Sequence, residues 1–452
     1  MKRLRLFLVM AMVLGIHSSS VHGSFHLFRI NEIYTNGDGS IQFIELTALA
    51  GGQQFVMGHT ITSSEGGMTH SYTIPSNLPG DTSGKTILIG TVGFAALNVV
   101  TPDYVVPNGF LFTTDGTVTW AEGADSWHYM RLANAGRFSL YRDGSIAVNT
   151  PRNFAGMTGM ILGPQLGDFD GDVKADLTVF RPSTGDWFTL ESRNGYSSSA
   201  RRNWGVATDI PAPGDYDGDN KADLGVFRPS NGTWYVLLSS TGYTTFLLKQ
   251  WGTNGDIPVP GDYDRDGKTD LTVFRPSNGM WYATGSSSNY MDVLGTANWG
   301  LGTDTVVSGD YDGDGAPDLG VFRPSNGTWY VLLSSTDYTG FFSKNWGLST
   351  DITVPGDYDG DGKTDLAVFR PSNGNWYILE SGSNYMNFVV LNWGVGTDAP
   401  VPADYDGDGR TDLGVFRPSN GTWYILQSST NYMTFIVKNW GLATDVPLLR
   451  RQ

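Results

Sequence analysis

Between residues 164 and 449 the chain repeats one unit six times. Each copy opens on a run of aspartates, at Asp168, Asp215, Asp262, Asp310, Asp357 and Asp404, so the spacings are 47, 47, 48, 47 and 47 residues. A fixed period of this length restricts the fold to a propeller, a solenoid or an array, because a single unit cannot bury its own apolar faces and must stack on its neighbours. Each copy reads as the acidic loop, a strand such as "DLGVF", then "RPSNG", then "TWYVL", then a variable strand, then "NWGxxTD". Four extended segments per period match a four-stranded propeller blade.

Val, Phe, Trp, Tyr and Thr fill these segments and Gly and Pro punctuate them, as strands require. The Asn-Gly pairs at 231–232, 278–279, 326–327, 373–374 and 420–421 predict two-residue hairpin turns. Phe227 and Trp234 then fall on one face, and Val226, Arg228 and Tyr235 on the other. Large side chains on both faces fit a blade packed between two others. The first copy has no "WGxxTD" before it, whereas "NWGLATDVP" at the C-terminus has no loop after it. The last segment therefore fills the missing place in the first unit and removes the exposed sheet edges. The predicted fold is all-β: six four-stranded propeller blades preceded by an immunoglobulin-like β-sandwich. A seventh blade would have to come from residues before 163.

The acidic loops follow the pattern D-x-D-x-D-x-x-x-D. The candidate metal ligands are Asp168, Asp170, Asp172 and Asp176 in the first copy, and Asp215, Asp217, Asp219 and Asp223 in the second. Asp262, Asp264, Asp266 and Asp270 form the third set, and Asp310, Asp312, Asp314 and Asp318 the fourth. The fifth set is Asp357, Asp359, Asp361 and Asp365, and the sixth Asp404, Asp406, Asp408 and Asp412. Alternate carboxylates on a tight loop converge, the ninth place closes the shell, and a backbone carbonyl at the seventh adds an oxygen. Such an all-oxygen cage suits Ca²⁺ better than Mg²⁺, which gives up its water reluctantly. Solvated turns would explain one such loop, but not six in register. The sixth place needs a residue that bends easily. Four copies have Gly there, the second has Asn220, and the first has Val173, which predicts the poorest site.

An EF-hand would need Glu at the twelfth place, where this chain has strand residues such as Val226 and Val368. Over about residues 164–449 the six loops instead resemble the calcium loops of FG-GAP, or VCBS-type, repeats, as in integrin α chains. The resemblance implies a β-propeller with Ca²⁺ in its loops and an extracellular binding or adhesion role. The Phe-Gly and Gly-Ala-Pro signature is replaced by "VFRPS", so integrin-type ligand recognition does not carry over.

Lys2, Arg3 and Arg5, the apolar "LFLVMAMVLGI" and the small residues up to Gly23 read as a secretory signal over 1–23, too short in its apolar part to span a bilayer. Its removal would take three positive charges and move the net charge from −16 to about −19. That acidity argues against nucleic acid and anionic lipid as partners. The chain has no cysteine, which excludes disulfides and thiolate metal sites. Its six histidines, at 17, 22, 26, 59, 70 and 128, all precede the repeats, so His-dependent catalysis is not available there. The repeated Arg181, Arg228, Arg275, Arg323, Arg370 and Arg417 are expected to pair with Asp or to stack on tyrosine rings, and the repeated Trp to pack blades. "NGT" at Asn231, Asn326 and Asn420 matches a glycosylation acceptor, although a turn explains it equally well. No copy departs enough from the others to mark an active site, and the variable strand is the expected ligand-facing surface.

Residues 24–150 lack the repeat. "FRINEIYTNGDGSIQFIELTAL" reads as a hairpin, and "QQFVMG", "KTILIG", "DYVVP" and "RFSLYRDGS" as further strands, giving a sandwich. "INEI" and "FIEL" resemble the opening of lamin-tail domains, which implies an interaction module without catalytic residues. Glu32, Glu45, His59 and His70 are a candidate metal set, with scattered structural roles the competing reading. Residues 151–163 read as a linker. The expected protein is a secreted or cell-surface monomer that is not an enzyme. It would be a Ca²⁺-binding module for a protein or polysaccharide ligand. The rival is a secreted polysaccharide hydrolase or lyase with an acid pair on the propeller face.

Overall fold

The computed structural model describes residues 27–36, 39–97, 99–130, 132, 138–158 and 167–448. The leader read at 1–23 lies outside them. Among the described residues the chain is all-β apart from one short α-helix and a few 3-10 turns.

The N-terminal unit has two sheets. Strands β1 (Phe28–Thr35), β2 (Gln42–Ala48), β5 (Thr86–Thr91), β6 (Tyr104–Val106), β9 (Phe138–Tyr141) and β10 (Ile146–Val148) form the order β10-β9-β1-β2-β5-β6. Strands β3 (Thr60–Glu65), β4 (Met68–Thr73), β7 (Gly116–Trp120) and β8 (Asp125–Tyr129) form the order β4-β3-β7-β8. The faces of both sheets meet in one core that includes Phe28, Ile44, Ile61, Trp120 and Trp127. Helix α1 (Val92–Ala96) follows β5, capped by the Thr91 hydroxyl, which accepts from the Phe94 amide. The predicted hairpin is β1–β2, but "QQFVMG" forms no strand. It is a turn instead, tied down by hydrogen bonds such as that from the Met57 amide to Asn77. Residues 151–158, read as linker, belong to this unit. The Arg152 amide donates to Glu45, the Phe154 amide to Asp103, and the Phe154 ring enters the core.

The repeats form six four-stranded antiparallel sheets. In the second, Ile210–Pro211, Leu224–Arg228, Thr233–Leu237 and Phe246–Gln250 lie in that order. Phe227 pairs with Trp234 and Val226 with Tyr235, which gives the two predicted faces. The turn between these strands is longer than predicted. Arg228 pairs with Thr233, leaving four residues in the loop, and the Arg228 carbonyl accepts from the Gly232 amide at 2.9 Å. Only Gly232 of the Asn-Gly pair has positive φ, so the turn is not the primed type that the dipeptide signals.

The first sheet draws three strands from the start of the array, Leu177–Arg181, Asp186–Glu191 and Ser198–Asn203. Its fourth, Val446–Pro447, comes from the C-terminal end and pairs with Val179 and Phe180. Successive sheets share apolar cores in the sequence first–second, second–third, third–fourth, fourth–fifth, fifth–sixth and sixth–first.

Two tryptophans per copy link the sheets. The fully buried Trp234 donates from Nε1 to the Trp251 carbonyl, and Trp251 donates to Tyr282 of the next sheet. The last of the series, Trp440, donates to Phe188 of the first sheet. These rings are bonded within and between sheets, as blade packing predicts. A hydrogen bond from Asn36 Nδ2 to the Gly218 carbonyl joins the N-terminal unit to the second acidic loop.

Candidate metal centres

Each acidic loop is wound around the first aspartate of its set. Asp215 Oδ1 accepts from the Gly218 and Asp219 amides, and Oδ2 from the Asn220 amide at 2.8 Å. Asp168, Asp310 and Asp404 are held in the same way. This winding forces the sixth residue into the left-handed region. Gly267, Gly315, Gly362 and Gly409 adopt it freely, but Asn220 (φ 65°) and Val173 (φ 67°) do so as non-glycines. Val173 is the more strained, because its branched Cβ crowds that conformation.

The ninth aspartate closes the loop from the strand side. Asp223 accepts from the Tyr216 amide and from the Ser239 amide. Three carboxylates then converge. In each of six groups among the described residues, one ligand atom from each of three acids lies within 4.8 Å of the others, as with Asp168, Asp170 and Asp176, or Asp357, Asp359 and Asp365. Asp215 with Asp217 and Asp223, Asp262 with Asp264 and Asp270, and Asp310 with Asp312 and Asp318 converge in the same way. These are the first, third and ninth places.

The fifth place is not in these groups. Asp172, Asp219, Asp266, Asp314, Asp361 and Asp408 instead accept from the amide two residues on and from a serine hydroxyl, as Asp219 does from Lys221 and Ser239. Sequence reasoning missed this serine. Ser192, Ser239, Ser286, Ser334, Ser381 and Ser428 each stand 16 residues after the ninth-place Asp, and each binds that Asp through its amide and the fifth through its hydroxyl. The signal was its recurrence in all six copies.

The third aspartate carries the most telling atom. Its outer oxygen is bonded, for example Asp312 Oδ2 by Ser335. Its inner oxygen is buried without a hydrogen-bond donor in Asp170, Asp217, Asp312 and Asp406. An unsatisfied buried carboxylate oxygen is costly, and a cation in the group satisfies it. The electrostatics agree. Burial, followed by neighbouring carboxylates, pushes Asp176 up to about 8 and Asp223 and Asp270 to about 7. Burial also raises Asp168, Asp310 and Asp404 to about 7, against the amides that lower them.

The loops touch through a second device. The seventh-place Lys or Arg of one copy lies over the fourth-place Gly of the copy before it, as Lys221 does over Gly171 and Arg410 over Gly360. One junction inverts this. The third loop has Arg265 at the fourth place, the fourth loop has Ala316 at the seventh, and Arg265 reaches Asp314.

The repeated arginines are structural. Arg228 binds Asp209 through two bonds of 2.8 Å and lies over the Tyr235 ring at 4.3 Å. The same arrangement recurs, and in the first sheet Arg181 takes Asp445 as its partner. In the N-terminal unit the proposed set does not converge. Glu32 faces Glu45 across β1–β2, whereas His59 lies 2.9 Å from Glu122 and His70 approaches the Phe110 carbonyl.

The FG-GAP-like repeat family matches residues 357–415, a single stretch around the fifth and sixth loops. A comparison with curated proteins finds no match. Among solved structures, an Agrocybe aegerita protein described as recognising non-reducing terminal N-acetylglucosamine is 16% identical, covering 59% of this chain and 76% of its own, with a TM-score of 0.41. The Dos1 propeller is 10% identical over 89% of this chain and 93% of its own, with a TM-score of 0.30. A DUF4784 family protein from Bacteroides caccae is 9% identical over 91% and 95%, with a TM-score of 0.36.

Proposed function

We propose that the six sheets are the blades of a closed six-bladed propeller whose loops each hold one Ca²⁺, and that the protein is an exported, non-catalytic binding or adhesion module. Closure is supported by the C-terminal strand in the first sheet and by the core shared between the sixth and first sheets. The cation is supported above all by the donor-less inner oxygen of the third aspartate, which recurs across the loops. Ca²⁺ is the ion that takes many hard oxygens in a flexible cage. The N-terminal unit, with its paired "INEI" and "FIEL" strands, is assigned a lamin-tail-like interaction role.

The ligand is a protein or polysaccharide, and the surface that receives it is the outermost strand of each blade. There Phe246, Phe341, Phe388 and Phe435 are more than half exposed, each beside a Trp of the preceding sheet. A repeated exposed aromatic band is a recognition surface.

The metal is tested by melting the protein in Ca²⁺ and in EDTA. One site contributes about 2.7 kcal/mol at a hundredfold excess over its dissociation constant, so six should move the repeat transition by tens of degrees. Coincident melting curves would sink the metal assignment. Glycan and protein arrays probed with and without Ca²⁺ test the ligand class.

A further inference from the structure

The sequence shows no copy that stands apart, but the structure does. The third copy contains the single 48-residue spacing, and the extra residue makes a bulge between Ala283 and Thr284 where they pair with the outer strand Val293–Asn298. Around it the face turned to the fourth sheet is cut back on its two outer strands relative to the second, fourth, fifth and sixth sheets; the first sheet, with Thr178–Thr189–Ala200, is intermediate. In the second, fourth, fifth and sixth sheets the row across this face reads Gly225–Val236–Leu247, Gly320–Val331–Phe342, Ala367–Ile378–Val389 and Gly414–Ile425–Ile436. In the third it reads Thr272–Ala283–Gly295. One row further, Ala297 pairs with Trp281 where the other copies place Arg202, Lys249, Lys344, Leu391 or Lys438. Lys438 bridges to the Tyr196 carbonyl of the next sheet and Arg202 covers the Tyr243 ring at 3.9 Å. Ala297 is too short to make such a contact with the corresponding Tyr338.

The result is a cavity of about 590 Å³ between the third and fourth sheets, with Trp281, Trp299, Tyr263 and Tyr338 among its walls and Leu319 and Leu332 on the far side. A Cβ built on Gly295 meets nothing within 4 Å. Thr272 lines the cavity, and its hydroxyl is buried behind the wall without a hydrogen-bond partner. Its counterpart in the first sheet, Thr178, bonds Thr189 at 3.2 Å. The tyrosine hydroxyls of the wall are already engaged, Tyr263 with Val259 and Ser308 and Tyr338 with Pro317. Asp337 stands at the mouth, where the other copies have Gly195, Gly242, Asn289, Asn384 or Asn431. The corresponding cleft between the sixth and first sheets, about 490 Å³, has the charged side chains of Lys174, Asp406 and Lys438 in its walls.

From this geometry we infer a binding site between the third and fourth sheets for a flat, neutral, largely apolar molecule with a single hydroxyl or carbonyl. Its rings would lie among the tryptophans and tyrosines, and its polar atom would meet Thr272. The size suits a bicyclic ligand. The one side-chain polar atom of the wall that is buried without a partner, the Thr272 hydroxyl, suits one substituent rather than the many hydroxyls of a sugar. Asp337 at the mouth repels a carboxylate. The inference goes beyond the metal-dependent binding role and needs none of the loop carboxylates.

The test is a titration of the Ca²⁺-loaded full chain with 2-naphthol, with naphthalene as comparator, read by saturation-transfer NMR and tryptophan fluorescence. Saturable binding of one equivalent is expected. Gly295→Leu restores the side chain of the second sheet. It should abolish binding while raising the melting temperature, because it fills space that is open. Ala297→Lys should weaken binding by narrowing the mouth, and serves if Gly295→Leu does not fold. Thr272→Val keeps the shape and removes the hydroxyl, and should weaken 2-naphthol about fivefold with naphthalene unchanged. No saturable binding to the native chain, or binding that survives both Gly295→Leu and Ala297→Lys, would overturn the site. Equal affinity of Thr272→Val for 2-naphthol, or saturable binding of N-acetylglucosamine in place of 2-naphthol, would overturn the ligand class.

Discussion

The N-terminal unit and the repeat array both bury carboxylates, but they neutralise them by different means. Glu32 and Glu45 are opposite each other on β1 and β2, 1% and 5% exposed, and their donors are the Thr150 and Arg152 amides and Asn31. Burial first, and Glu32 second, pushes Glu45 up to about 7. A proton is the natural partner of that pair. In the array, amides hold the first and ninth aspartates, while in four loops the third turns an oxygen without a hydrogen-bond donor inward, which a cation would satisfy. The strand pair thus answers buried charge with protonation, whereas the loops, under the proposed function, answer it with a metal.

The sharpest way to break this contrast is to open the array and leave the N-terminal unit intact. Deleting residues 438–452 removes the strand Val446–Pro447, the Trp440 bond to Phe188 and the Asp445 partner of Arg181. Two sheet edges and a core face are exposed. Aggregation or loss of the repeat transition is expected in calorimetry, with the N-terminal transition retained. A monomeric product with the parent's melting temperature would show the tail to be dispensable.

Next in size is a reversal with pH. Without metal, burial raises first- and ninth-place aspartates such as Asp168, Asp223 and Asp310 to about 7, above their unfolded values near 4. Their stabilising contribution is then present below pH 4 and is lost as pH rises through 7. In EDTA the array should therefore gain stability on acidification from pH 8 to pH 5. In Ca²⁺ it should lose stability over the same range, as protons displace the ion. Parallel pH profiles in the two buffers would erase the distinction between the regions.

The N-terminal pair should show the first behaviour in either buffer. Glu45 rises from 4.5 to about 7, so its cost appears as pH climbs through that window. Glu45→Gln should stabilise this unit at pH 8 by on the order of 3 kcal/mol and flatten its pH profile. Asp304→Ala, which leaves Arg323 unpaired over Tyr330, should cost the array about 2 kcal/mol by denaturant unfolding and leave the N-terminal transition unmoved. The smallest effect is at the first loop, where Val173→Gly relieves the left-handed strain and should stabilise by about 1 kcal/mol and tighten metal at that loop in titration.

What was legible in the sequence follows from repetition. Six copies exposed the loop, the two-faced strands and the unmatched ends, because each error in one copy is corrected by five others. The Asn-Gly turn misled because the dipeptide occurs in more than one loop, and the carbonyl of Arg228, two residues before the predicted turn, decides which. The fifth aspartate misled because alternation along a loop says nothing about which carboxylate a serine on another strand will claim. In the N-terminal unit, with one copy only, β3 and β4 escaped notice. "TITSSE" and "MTHSYT" are too polar to read as strands, and only Ile61 and Ser63 of that hairpin are buried. The broken third copy was visible as one spacing of 48, but a single inserted residue cannot announce that three side chains nearby are also missing.

The borrowed strand of the first sheet sets an order of assembly. Arg228 finds Asp209 within 19 residues along the chain, but Arg181 must wait for Asp445, 264 residues away. Closing the longer loop costs about 2 kcal/mol more in chain entropy. The first repeat to emerge during synthesis is thus expected to be the last to be finished, because its strand Leu177–Arg181 stays open on one side until Val446–Pro447 pairs with it. Under the proposed closure the join acts as a clasp, the contact slowest to fasten. Pulse-labelled hydrogen exchange during refolding would report it as late protection of Val179 and Phe180 relative to Val226 and Phe227.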